Sequence, residues 1–561
     1  MEKAQKLISK YLWILILILS IPAVRYLFVY GYFGVSDDLH IGWLYEMDRA
    51  VKMLQFPPRY VPDLSFGFGY PLFNFVYPLP FYVAEMFHLV GLSLVNSIKL
   101  VFGLSIPLSM FFMYKLLRVY MKEDFSLAGA VLYVYAPYRA LEIFVRGTIG
   151  EIVAFIFFPL IILSFIKITS KESSLKWIGT AGIGIAGLVL SHNIMAYMFM
   201  PFLLLFVLVR VLFLSKSQLL TDKQSLLLRS KDCLVALVLG LLSSIYFWFP
   251  AIYESRLMKF DTVFNFYDHY PALKQFITPY WGYGASVPGN YDTMSFYMGL
   301  TGLVIALFGS ILFAINRKKF NSEEKILISW VVLISLVSIF MMNFRSAWFW
   351  RNLPLLPYFQ FPWRFLAMIT LVSPILLIVF SKFNRLKFVP YLVIFFAIFL
   401  NFNYFKTSEY LGRGDDYYIN RYIPVPTASE EYLKTSEEYL RLPKETLERP
   451  QKNYPRAYSN NSSAPVEIKE INALDSEITT NSEIDFVLSY AKYNYPGFRV
   501  KVDGKLTPII SGDPFGQISF LVPRGKHKVV VEYNESPTRL IFDIISLIAI
   551  SISVYFIAKR K

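Results

Sequence analysis

Residues 149–169 read IGEIVAFIFFPLIILSFIKIT, and this run decides the fold. At about 1.5 Å per helical residue it covers about 30 Å, the hydrocarbon thickness of a bilayer. A soluble amphipathic helix would carry a polar stripe. Here the only charges, Glu151 and Lys167, stand near the two ends. Working outward, comparable runs fall near 11–30, 96–117, 125–142, 177–192, 194–215, 233–252, 295–315, 324–343, 364–381, 388–404 and 540–558. The expectation is a polytopic α-helical membrane protein with about 12 transmembrane helices. Composition agrees: 55% of the 561 residues are hydrophobic, 18% are aromatic, and mean hydropathy is +0.47. So little polar surface excludes an ordinary soluble domain of this length.

Charge placement sets the orientation. The net charge of +15 does not form a nucleic-acid-binding stripe; Lys and Arg cluster between apolar runs. With the N-terminus inside, the clusters Lys115/Arg118/Lys122, Lys167/Lys171/Lys176, Lys216/Lys223/Arg229/Lys231, Arg317/Lys318/Lys319, Lys382/Arg385/Lys387 and Lys559/Arg560/Lys561 all fall on inner loops. This is the positive-inside pattern, and it predicts cytoplasmic N- and C-termini. One more crossing within Tyr70–Gly91 would invert every later cluster. That stretch, broken by Pro71, Pro78 and Pro80 and carrying Glu85 and His88, therefore reads as interfacial or re-entrant. The apolar run after Lys10 is too long for a signal-peptide core and reads as a retained first helix. The single Cys233 cannot form an internal disulfide.

The outer side then holds a large first loop, 31–95, and an extracytoplasmic domain, 405–538, inserted before the last helix. The expected division is thus 1–404, 405–538 and 539–561. Within 405–538, Glu430–Arg441 reads as an amphipathic surface helix. From about 483 the pattern becomes period-two: Phe498, Val500 and Val502 alternate with charged residues, and Asp503-Gly504 is a hairpin signal. A β-rich, sandwich-like unit is expected there.

Candidate chemistry lies at the outer ends of helices, where an ionisable group is costly unless it lines a cavity or reaction path. Asp37 and Asp38, with His40, follow the first helix. Adjacent carboxylates there can act as a general base or help hold a divalent metal; the plain alternative is a helix cap. Arg146 and Glu151 flank the start of the decisive run. Arg146 suits a phosphate, while Glu151 is equally a good partner for a helix dipole. His192-Asn193, Glu254 after the seventh run, and Trp363-Arg364 before the tenth complete the set. Each has a structural alternative, Trp363 as an interface anchor above all. In the first loop, glycines and prolines interleave with rings around Tyr70, making a shaped loop whose aromatic faces suit sugar rings or the membrane.

Several blocks carry a resemblance. Asp37-Asp38-Leu39-His40, Pro58–Leu64, Gly67–Phe75, Ala136-Pro137-Tyr138-Arg139, Val145–Glu151 and Phe359–Arg364 resemble bacterial multi-pass proteins known as "6-pyruvoyl-tetrahydropterin synthase-related membrane proteins". The block Tyr495–Phe498, Val502–Lys505 and Val522–His527 resembles the outer domain of YfhO-type proteins. Both groups are similar to the GT-C glycosyltransferase superfamily. The resemblance implies a GT-C-like fold and a hexosyl- or pentosyltransferase. Its donor would be a polyprenyl-phosphate-linked sugar drawn from among the membrane lipids, and its acceptor a glycan, lipid or protein. It assigns Asp38 or Asp37 as catalytic base and Glu151 as a second acid. His40, Tyr70, Arg146, His192, Asn193, Glu254, Trp363 and Arg364 would contact substrate. It requires no cofactor with certainty and leaves a divalent ion, magnesium or manganese, open. The rivals are a transporter or flippase of lipid-linked sugars and a non-catalytic assembly factor. The apolar middles of the runs speak against a midplane transport site.

Overall fold

The computed structural model describes residues 2–170, 173–214, 223–260, 265–289, 291–459 and 465–559. Lys171, Lys216, Arg560 and Lys561 of the expected basic clusters lie outside these. The fold is mostly helical, with antiparallel sheets in the C-terminal region. Among the described residues, seven helices are long and apolar enough to cross a membrane. They are Leu94–Leu117, Ile149–Ile168, Asn193–Phe213, Ser322–Met341, Pro362–Ser381, Asn384–Tyr404 and Pro537–Ala558. Leu227–Ser243 and Ile245–Leu257 form an eighth candidate, bent by 63°. Leu12–Phe28, Leu175–Ser191 and Leu300–Ile315 are shorter apolar helices.

The run expected as one span at 125–142 is broken. Its helix stops at Val134, because Pro137 forces Ala136 into an extended conformation, and a new turn starts at Pro137. That turn widens into a π-helical stretch, Glu142–Arg146, closed by Gly147 at φ +75°. The stretch Tyr70–Gly91 contains the short helices Leu72–Phe75 and Leu79–Leu89. The longer rises about 16 Å, half a bilayer core.

Ile149–Ile168 and Pro362–Ser381 are the most buried of these helices and form the centre of the bundle. Pro537–Ala558 packs at its rim, on Leu175–Ser191 and Lys223–Ser243, and exposes Leu540, Ile544 and Leu547. Apolar side chains exposed on a helix rim are what lipid contact requires.

Two antiparallel sheets make up the C-terminal β region. The four-stranded sheet has the order Ala457–Ser459, Phe486–Tyr493, Gln517–Val522, Ile510–Gly512. The five-stranded sheet runs Val466–Glu470, Ser476–Ser482, Gly525–Tyr533, Phe498–Val502, Lys505–Thr507. Strands thus begin well before 483. The early ones escape a hydrophobic pattern because Ser476–Ser482 turns Ser476, Thr480 and Ser482 inward beside Ile478. Val502 pairs with Lys505 across Asp503-Gly504, both at positive φ, as a two-residue hairpin requires. The helix expected over 430–441 ends at Glu437, and Leu433 and Leu440 are buried while Tyr432 and Tyr439 are exposed.

The first loop is pinned to both bundle and sheets. Tyr32–Phe33 pairs antiparallel with Tyr410–Arg413. Buried Arg59 bonds Glu535 (2.9 Å), Asp543 and the Tyr246 carbonyl. Lys492 Nζ, also buried, donates to the carbonyls of Pro62 (2.8 Å) and Gly67 (2.7 Å). Burial first, and Arg456 second, pull its pKa well below the usual lysine value against the pull of Asp63, Glu46 and Glu470.

Candidate functional site

The π-helical stretch organises the site. Its wide turn places Glu142 beside Arg146, and Gly147 turns the chain into the Ile149 helix so that Glu151 comes alongside both. Arg146 Nη1 donates to both Glu142 oxygens at 2.7 Å and to Glu151 Oε1 at 2.9 Å. Thr148 Oγ1 caps the other side of Glu142. Glu151 also accepts from Tyr138 (3.1 Å), with Arg364 Nε at 3.2 Å and His192 Nε2 at 3.9 Å. The Arg364 contact is close but not aligned as a hydrogen bond. Four groups from separate elements therefore surround one fully buried carboxylate. Glu151 held this way is a good anchor for two guanidiniums.

Those guanidiniums keep donors in reserve. Among the described residues, every hydrogen bond of Arg146 leaves from Nη1, and its plane lies 4.7 Å from the Trp363 ring. Arg364 uses Nη1 on the Phe359 carbonyl, at 2.7 Å. The Tyr77 ring lies tilted at 4.8 Å from that of His192, whose Nδ1 accepts from the Met195 amide. In neutral His192 the proton is therefore on Nε2, facing Glu151.

The segment after the first helix docks onto this turn. Ser36 and Asp37 amides donate to the carbonyls of Val145 (3.1 Å) and Arg146 (2.8 Å). His40 Nδ1–H donates to the Gly147 carbonyl at 3.1 Å, leaving Nε2 a lone pair. Burial lowers the His40 pKa, so the ring is neutral at pH 7. The two aspartates diverge. Asp38 is buried and accepts from Tyr422, with Arg421 at 3.4 Å. Burial raises its pKa against these two partners. The half-buried Asp37 carboxylate makes no hydrogen bond or ion pair among the described residues, yet it lies within the field felt by Arg146, His40 and Tyr77.

Of the residues singled out from sequence, Asp37, His40, Arg146, Glu151, His192, Trp363 and Arg364 thus come together. Asp38 backs the group from the Asp415–Tyr422 helix side. Three others do not join. Asn193 is exposed and caps Ile194. Tyr70 pairs with Val61, and its hydroxyl accepts from the Arg441 amide. Glu254 is locked by Arg539 (2.6 and 2.8 Å), Asn74 (2.9 Å) and Tyr495 (2.8 Å). Glu142, Tyr138, Tyr77, Arg421 and Tyr422 were missed. Glu142 alone had a signal, an acid four residues before Arg146. A metal held between the two aspartates does not fit: both Asp38 oxygens face Tyr422 and Arg421. Among the described residues no group of three or more His, Cys, Asp or Glu is arranged to hold a metal ion.

No family model matches the chain. A protein of Lactococcus lactis subsp. cremoris (strain MG1363), described as uncharacterized, is 26% identical over 203 residues, which is 35% of this chain and 33% of that protein. This chain thus matches about a third of that relative's length. Two solved structures show similarity. One is the arabinofuranosyltransferase AftD from Mycobacteria (TM-score 0.42, 12% identity, 70% of this chain, 26% of AftD). The other is the archaeal oligosaccharyltransferase AglB from Archaeoglobus fulgidus, solved with an inhibitory peptide and a dolichol-phosphate (TM-score 0.41, 13% identity, 80% of this chain, 61% of AglB).

Proposed function

We propose that this chain is a GT-C-type membrane glycosyltransferase. It moves a sugar from a polyprenyl-phosphate donor to an acceptor hydroxyl on the membrane face that bears the β-sheets. In this reading twelve helices cross the bilayer, both termini are cytoplasmic, 405–538 is an extracytoplasmic domain, and the chain is kin to the YfhO-type group. One observation carries the proposal: an unpaired carboxylate, Asp37, lies in the field of Arg146, and Arg146 and Arg364, gathered on Glu151, both keep unused donors. A buried ion cluster at such a depth is costly and is retained for function by default.

Asp37 takes the proton of the acceptor hydroxyl as its oxygen bonds the anomeric carbon. The anomeric carbon–oxygen bond to the lipid phosphate breaks, and that oxygen keeps the electron pair. Arg146 and Arg364 receive the growing phosphate charge through their free N–H groups. A single displacement inverts the anomeric centre. Glu151 and Glu142 hold Arg146, and Asp38 holds Tyr422 and Arg421 against the acceptor side.

The test uses the full-length chain in nanodiscs with a panel of polyprenyl-phosphate sugars, reading release of polyprenyl phosphate. Asp37→Asn is expected to lower turnover by about 10²–10⁴-fold, the usual contribution of a general base. Asp38→Asn should act mainly on acceptor KM. Wild-type turnover by Asp37→Asn would falsify the assignment. A non-catalytic assembly role is favoured by one feature, the mutual saturation of Glu142, Arg146 and Glu151. It predicts that loss of Glu151 unfolds the protein while loss of Asp37 changes nothing.

A further inference from the structure

A cavity of about 460 Å³ opens between the helix bundle and the sheets, away from the Arg146–Glu151 cluster. Three backbone segments build it. The chain leaving the bent helix pair runs antiparallel to 442–444: Met258 bridges Pro443, the Lys259 amide donates to the Leu442 carbonyl and the Lys444 amide to that of Leu257, both at 2.9 Å. Lys259 Nζ and the Thr446 hydroxyl, each bonded to a carbonyl, tie these strands to each other and to Phe515. Asn494–Phe498 and Gly516 of the β region complete the wall. The cavity is therefore pre-formed.

Its lining carries two basic side chains and one acid. Arg256 and Lys444 line it and are exposed, and neither has a carboxylate partner among the described residues; Arg256 lies over the Tyr253 ring at 4.0 Å. The one acid in the wall, Glu445, is bonded to Ser511. Buried Phe498 and Tyr495 form the floor. On the same bent pair, shortly before Arg256, Ile252 and Tyr253 expose apolar side chains. Two cations without carboxylate partners among the described residues, over an aromatic floor and near exposed apolar side chains, match an anionic headgroup presented from a bilayer. A neutral sugar needs no such pair.

We infer that this cavity binds a phosphate group at the membrane surface, held between Arg256 and Lys444. The reading stands independently of the transferase proposal. The test reconstitutes the full-length chain in phosphatidylcholine nanodiscs doped with phosphatidylglycerol, and counts retained lipid by native mass spectrometry after detergent exchange. A parallel arm adds inorganic phosphate to pure phosphatidylcholine discs and reads thermal stability. Wild type is expected to retain a phosphatidylglycerol molecule that Arg256→Gln/Lys444→Gln loses, while Lys505→Gln/Lys526→Gln, of equal charge change on exposed β-region positions, keeps it. Stabilisation by inorganic phosphate, lost in the same double variant, also supports the site and assigns it to a soluble phosphate. Single Lys444→Gln serves if the double variant is not monodisperse. Equal behaviour of wild type and variant in both arms overturns the inference.

Discussion

Asp37 and Asp38 show what a residue's neighbours add to its chemistry. The sequence places two carboxylates together after the first helix, and nothing in it says which is free. The structure separates them, because Arg421 and Tyr422, contributed by a helix 383 and 384 positions on, engage Asp38 only. The same scale holds a sharper case. Glu85 is buried at the contact of His40–Lys52 with Leu79–Leu89, and neither of its oxygens has a hydrogen-bond partner. It faces Asp48 and His88, with Lys52 beyond, and its pKa is pushed up to about 7, by burial first and Asp48 second. The folded chain therefore keeps this proton at pH values where the unfolded chain has lost it. Below about pH 4 both states are protonated and there is no cost. Between the ordinary glutamate pKa and about 7 the cost grows, and above 7 it is full. Glu85→Gln should raise stability by about 2 kcal/mol at pH 8 and leave it unchanged at pH 4, measured as unfolding midpoints in mild detergent. A midpoint shift independent of pH would dismiss the protonation account.

At the scale of elements, the π-helical stretch does most to make the site. It widens one turn so that Glu142, Arg146 and Glu151 meet, and it receives the Asp37 segment on its carbonyls. Gly147 closes it at φ +75°, and a Cβ there would stand 2.6 Å from Val35 Cγ2. Gly147→Ala should cost about 1–2 kcal/mol in backbone strain alone. It should also push Val35, and with it Asp37, off the turn, so that turnover falls more than stability does. Equal losses in both would assign Gly147 a purely structural role. Much of this scale was legible in the sequence. Long apolar runs gave helices, Asp503-Gly504 gave its hairpin, and Arg146 to Glu151 marked a helix start. Two things were not legible. A π-turn has no periodicity of its own, and the apolar run 125–142 masked the break that Pro137 makes before it. Strands such as Ser476–Ser482 bury hydroxyls, which no hydrophobic pattern reveals.

At the scale of the molecule, buried ion pairs join the first loop, the bundle and the sheets. Arg539, at the start of the last helix, holds Glu254 at the end of the bent pair, and Glu254 in turn takes Asn74 and Tyr495. Arg539→Gln would leave Glu254 buried without its counter-charge, at about 3–5 kcal/mol. It should also make 405–536 more sensitive to limited proteolysis, with Arg539→Lys recovering part of the loss. Unchanged cleavage would show that the sheets hold their seat without this pair. Sequence could flag Glu254, but not Arg539 as its partner, because a distant pairing leaves no local trace.

Lys492 grips the backbone at Pro62 and Gly67, across 430 and 425 positions of chain. A ribosome makes the loop well before it makes the lysine. The early loop must therefore wait at the membrane, its aromatic side chains unshielded, until the late strands emerge and close over it. Chains stalled before Lys492 would carry every group of the Arg146 cluster and still lack the clasp on Pro62 and Gly67.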